Sequence, residues 1–119
     1  MVSPLTRQVL FVGPPGYERQ VYGKALQDAG YRVTFRHQTT RAEITDRPPR
    51  EAIVLNAVPV PQPMLRLLAE LHEFEIPKDR RTVVIVPRRL VLRRRVEMMG
   101  GRPLETPAPE ALLLRLLRP

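Results

Sequence analysis

Short apolar runs alternate along the chain with longer segments whose apolar residues recur at helical spacing. Residues 8–13 (QVLFVG) predict a buried strand, closed by Pro14-Pro15-Gly16. Residues 17–29 predict a helix in which Val21, Ala25 and Ala29 share a face, with Tyr22 and Leu26 beside it. Gly30 stands where a helix C-cap belongs. Residues 31–36 (YRVTFR) alternate and are rich in β-formers, which predicts a half-buried second strand. Thr40 and Glu43 have the spacing of a capping box and open a short helix that ends before Pro48-Pro49.

Residues 51–58 (EAIVLNAV) are nearly continuously apolar, as a central parallel strand should be. Pro59, Pro61 and Pro63 then predict an extended loop. Met64, Leu67, Leu68 and Leu71 form the stripe of a helix over 64–74. Residues 82–86 (TVVIV) are the most hydrophobic strand. A helix over 90–99 ends at Gly100-Gly101, a short fifth strand covers 102–105, and Pro109 opens a last helix over 109–117. The pattern is (βα)5. It predicts an α/β fold: a five-stranded parallel sheet, doubly wound, with helices on both faces. One such domain uses the whole chain, residues 1–119.

Composition narrows the chemistry. The absence of Cys excludes disulfides and thiolate metal sites and fits a cytoplasmic protein. No apolar stretch approaches the ~20 residues that span a bilayer, and residues 1–6 lack the apolar run of a leader, so no membrane association is expected. The charge is one-sided. Residues 1–79 hold 10 Lys and Arg against 9 acidic residues, whereas residues 80–119 hold 10 Arg against 3 Glu. A basic surface of this kind favours anionic partners. An Arg-rich composition of the source genome explains the preference for Arg over Lys, but explains the asymmetry less well.

Ligands on open α/β sheets bind at the carboxyl ends of the strands. The loops there are 13–16, 56–61, 87–89 and 106–109. Gly13-Pro14-Pro15-Gly16 is not a phosphate-binding P-loop, because Glu18 and Arg19 stand where Gly-Lys is needed and two prolines remove backbone donors. A GxGxxG fingerprint is also missing. His37 and His72 belong to no metal or triad spacing, and Thr39 and Thr40 read better as a helix cap than as nucleophiles. No catalytic residue, metal site or cofactor is expected, and the chain is read as a non-enzyme.

The (βα)5 order, the length and the segment spacing resemble a CheY-like response-regulator receiver domain, within the flavodoxin-like folds, over essentially the whole chain. The opening VLFVGPPGYERQVYGKALQDAGYRV matches a receiver's first strand and helix in register. The resemblance implies a phosphoacceptor pocket, and it implies that the pocket is degenerate. Gly13 and Pro14 occupy the positions of the family's acidic pair, which holds Mg²⁺. Asn56 matches the phosphoacceptor aspartate, and an amide is not the carboxylate nucleophile that forms an acyl phosphate. Asn56 is also expected to bond loop backbone. Pro87 stands for the conserved hydroxyl, and Thr106-Pro107 for the Lys-Pro pair, of which the proline is kept. The expectation is a pseudo-receiver acting in signal transduction.

In receivers the fourth helix, fifth strand and fifth helix form the face that meets a protein partner or a second copy. The sequence places Leu90, Arg93, Arg94, Leu114 and Arg118 outward on that face, while Leu92, Val96, Met99, Leu112, Leu113, Leu116 and Leu117 suit the core. Arg93 and Glu97 form an i,i+4 pair, and Arg95 sits at the edge of the buried face. A solvated basic face is the commoner fate of a charge run. Two exposed leucines with an Arg rim put a protein interface, including a homodimer, ahead of it. The alternative partner is nucleic acid, held on its phosphates by Arg80, Arg81, Arg88, Arg89 and Arg93–Arg95. Few aromatics and no recognised motif speak against it.

Overall fold

A computed structural model describes residues 7–118. The strands are β1 (Gln8–Val12), β2 (Arg32–Arg36), β3 (Ala52–Asn56), β4 (Thr82–Pro87) and β5 (Arg102–Thr106). The helices are α1 (Tyr17–Asp28), α2 (Arg41–Thr45), α3 (Gln62–Glu73), α4 (Ile76–Asp79), α5 (Leu90–Met98) and α6 (Glu110–Leu116). Residues 1–6, read above as carrying no leader, lie outside the described residues, and so does Pro119. Among the described residues no helix is long and apolar enough to cross a membrane.

All strand pairs are parallel, in the order β2-β1-β3-β4-β5. The chain reverses its direction of winding between β1 and β3, as the doubly wound expectation requires. Alternation along each strand divides the core in two. Leu10, Val12, Ile53, Leu55, Val84 and Val86 pack against Ile44 of α2, Leu65 and Leu68 of α3, and Leu92 and Val96 of α5. Val9, Phe11, Val54, Val83, Ile85 and Leu104 face the other way, onto Tyr22 and Leu26 of α1 and Leu113 of α6. β2 is an edge strand and half-exposed, in keeping with its alternating sequence.

Local signals account for most boundaries. Thr40 caps α2, its Oγ1 accepting the Glu43 N–H at 3.2 Å. Gly30, at φ 95°, reverses the chain after α1, where only glycine is at ease. Two expectations need correction. Pro63 does not extend the 59–63 loop: it lies in the first turn of α3, which starts at Gln62, and a proline there gives up an N–H that has no helical acceptor. Helix α4 is an addition to the five predicted helices. Its four residues (IPKD) are too short for any periodicity, and it follows Glu75 in the left-handed conformation (φ 56°).

Candidate functional site

The strands deliver Gly13, Asn56, Pro87 and Thr106 to the carboxyl edge of the sheet. Gly13 is buried, and its N–H donates to the Arg36 carbonyl at 2.8 Å. Its backbone runs against Asn56 of β3: a Cβ at position 13 would lie 2.7 Å from the Asn56 Cβ and 3.3 Å from its Nδ2. Only glycine allows this approach. Asn56 is buried, with 4 % of its surface exposed, and its Oδ1 accepts the Val58 N–H at 3.1 Å. That is the loop bond expected from the sequence. Pro14 and Pro87 are half-buried. Thr106 directs its hydroxyl to the Val86 carbonyl at 3.4 Å. Arg88 donates to the Pro107 carbonyl at 3.2 Å, and the Tyr22 hydroxyl to the Ala108 carbonyl at 2.7 Å. The loop after β5 is thus tied at both sides. The six positions named from the sequence do converge on this edge, and what they bring together is a glycine, three prolines, an amide and one hydroxyl. Among the described residues no group of three His, Asp or Glu is placed to hold a metal ion.

The face beside β5 differs in detail from the expectation. A concavity of about 560 Å³ lies along the free edge of this strand, between α5 and α6. Leu112, Leu116, Pro103 and Pro109 supply its apolar lining, and Arg88, Arg93, Glu97, Arg102 and Glu105 its charges. Leu90 and Arg94 are exposed on α5 but do not line it. Leu114 was expected outward on this face and is not there. It is half-buried on the side of α6 that turns toward Tyr31 and Leu117, with Arg118 beside it. The run of leucines in α6 left the helix phase open, and the structure resolves it by about one position: Leu113 and Leu117 enter the core while Leu112 and Leu116 flank the concavity. Arg93 is held between two carboxylates, 3.5 Å from Glu97 and 3.8 Å from Glu105. The exposed apolar side chains of α5 are Leu90, Val91 and Met98.

The arginines assigned to nucleic acid do not form one surface. Arg80 and Arg81 precede β4, Arg88 and Arg89 follow it, and Arg93, Arg94 and Arg95 are exposed on α5. Six strand residues, about 20 Å, separate the first pair from the second. Arg80 is also spent on the fold, donating to the carbonyls of Ile44 at 2.7 Å and Arg47 at 3.2 Å. A further pair escaped the sequence reading. Arg47 Nε and Nη2 meet the two oxygens of buried Glu51 at 2.6 and 2.8 Å. The two residues flank a Pro-Pro turn rather than share a helix, so their spacing carried no signal.

No family model matches the sequence, and no curated protein matches it in sequence. Solved structures match it in shape. A response regulator from Burkholderia pseudomallei, described with a phosphorylated aspartic acid, a calcium ion and citrate, superposes at a TM-score of 0.74 with 19% identity. That match covers 94% of this chain and 66% of the other. The chemotaxis response regulator CheY4 of Vibrio cholerae gives 0.71 at 19% identity, covering 94% and 96%. The receiver domain of Saccharomyces cerevisiae Ssk1, solved with the histidine phosphotransfer protein Ypd1, gives 0.73 at 14% identity, covering 94% and 86%. Sheet order, two-sided core and these superpositions agree: this chain has the fold of the CheY-like response-regulator receiver domains.

Proposed function

We propose that this chain is a receiver-fold regulatory module of a cytoplasmic signalling pathway, that it accepts no phosphoryl group, and that it acts by docking a protein along β5. The contact between Gly13 and Asn56 supports the second part, that no phosphoryl group is accepted. A carboxylate cannot be placed at position 13 without displacing Asn56. Pro14 offers no side-chain oxygen. The one side-chain oxygen of Asn56 is neutral and already accepts the Val58 N–H. This donor set does not fit Mg²⁺, which needs hard carboxylate oxygens in near-octahedral array. An amide oxygen is also a poor nucleophile for forming an acyl phosphate.

The docking face is the concavity between α5 and α6, with an apolar floor and a charged rim. The Ssk1 receiver domain, which shares this fold, was solved against a protein partner. Pro103 and the pairing of Arg93 with Glu105 keep the free edge of β5 from simple strand addition, so the face favours side-chain docking. A photo-crosslinking residue at position 112 in living cells tests this reading, with one at position 20 on exposed α1 as the control. Protein adducts, with a second copy or another chain, should form at 112 and disappear with Leu116→Glu. Equal labelling at both positions, or none at 112, contradicts it.

A further inference from the structure

An arginine stands at, or within two residues before, the start of every strand of the sheet. Arg7 precedes β1, Arg32 begins β2, Arg50 lies two residues before β3, Arg81 precedes β4, and Arg102 begins β5. Because all five strands are parallel, their starts share one edge of the sheet. In spatial order the row is Arg32, Arg7, Arg50, Arg81, Arg102. The opposite edge has no such row: the residues that follow the strands are Gly13, His37, Ala57, Arg88 and Pro107.

Two concavities lie along this basic edge and share Arg50, Ala52 and Arg81. One, of about 550 Å³, also holds Arg7, Tyr31 and Arg118, and the other, of about 360 Å³, holds Lys78, Arg80 and Arg102. None of their described lining residues is acidic. Helix C-termini also point to this edge, and part of the charge serves them: Arg102 donates to the Leu116 carbonyl at 2.6 Å and Arg118's at 3.3 Å. Carbonyls satisfy donors but do not neutralise charge. Arg7, Arg50, Arg81 and Arg118 have no carboxylate partner among the described residues. Arg7 lies over the Tyr31 ring at 5.6 Å. Arg81 Nε is shielded from solvent and has no hydrogen-bond partner, an unusual state for a buried donor.

We infer that this amino-terminal edge is a binding site for a nucleic-acid backbone; it meets the β5 docking face only at Arg102 and does not depend on the function proposed above. Strands ~4.8 Å apart spread five arginines over about 19 Å. One strand of a duplex presents a phosphate every 3.4 Å along its axis, so a duplex laid along the row offers about six per strand, of which the five arginines engage at most about five. A small anion would need convergent donors, and these are arranged in a line. With no base-reading element here, the binding is expected to be independent of sequence and steeply salt-dependent.

The test is fluorescence anisotropy of a labelled duplex two helical turns long, titrated with the full chain at several salt concentrations. The expected plot of log K against log salt has a slope of about −4.5, near −0.9 for each of about five phosphates engaged. Arg7→Ala with Arg50→Ala, both exposed positions, should lower affinity at least tenfold at low salt and flatten the slope by about 2. Arg50→Lys should keep the slope. The triple variant Arg93→Ala, Arg94→Ala, Arg95→Ala on α5 should leave it unchanged. Unaltered circular dichroism and urea midpoints confirm that each variant folds. No binding at low salt overturns the inference, and so does a slope lost in the α5 variant instead. Direct binding of inorganic tripolyphosphate as tight as that of the duplex would also overturn it, by showing a small-anion site.

Discussion

Gly13 and Asn56 stand so close that a Cβ on the first would lie 2.7 Å from the Cβ of the second. Gly13 directly follows β1 and Asn56 ends β3, neighbouring strands in register through Val12 and Leu55, so the contact is set by the sheet. Gly13→Asp should therefore destabilise the fold by about 1–3 kcal/mol, the usual range for forcing volume into a packed site. In an Asn56→Gly background the same substitution should be less costly, because the opposing Cβ is gone. Urea unfolding of the double-mutant cycle measures the difference.

Tyr22 joins α1 to the loop after β5 through its 2.7 Å bond to the Ala108 carbonyl. Burial raises its pKa above the usual tyrosine value, and the hydroxyl's bond to the Ala108 carbonyl is one that only the neutral phenol can donate. A raised pKa means that the stability contributed by neutral Tyr22 is complete below pH ~10 and is lost as the pH climbs through the higher folded value. The urea midpoint should fall as the solution passes pH ~10. Tyr22→Phe should cost about 1 kcal/mol at neutral pH, one buried hydrogen bond, and should flatten the alkaline decline.

Glu51 is 2 % exposed and accepts two guanidinium bonds from Arg47, at 2.6 and 2.8 Å. Removing one charge of such a pair strands the other in a poorly hydrated place. Glu51→Gln should lower stability by about 2–3 kcal/mol, less than a fully buried pair because Arg47 still reaches solvent. A lower urea midpoint with an unchanged denaturant slope is the expected reading.

Much of the fold was legible because its strands are short, apolar runs between turn residues. Val9 to Val12 and Val83 to Val86 are buried on both faces and look so in the sequence. Thr40 with Glu43 announced its cap, and Gly30 its chain reversal. Leu114 was misplaced because consecutive leucines in α6 give no unique phase, and only packing against α1 and β5 chooses one. Helix α4 escaped because four residues carry no period. Positions 13, 14, 56, 87, 106 and 107 could be read from the sequence as neighbours, since parallel strands end at one edge. The same logic applied to the strand starts would have gathered the arginines of the opposite edge. Their spacing in sequence hid this, because Arg7 and Arg102 are as far apart along the chain as the first and last strands.

On the proposed function the carboxyl edge takes no phosphoryl group. Incubation with acetyl phosphate and Mg²⁺, followed by intact-mass spectrometry and a thermal melt, tests it directly. The expected result is an unchanged mass and an unchanged melting temperature for the native chain. The same is expected for Asn56→Asp, because Gly13 and Pro14 still provide no carboxylate for the cation. A Mg²⁺-dependent gain of one phosphoryl group on the native chain would contradict it.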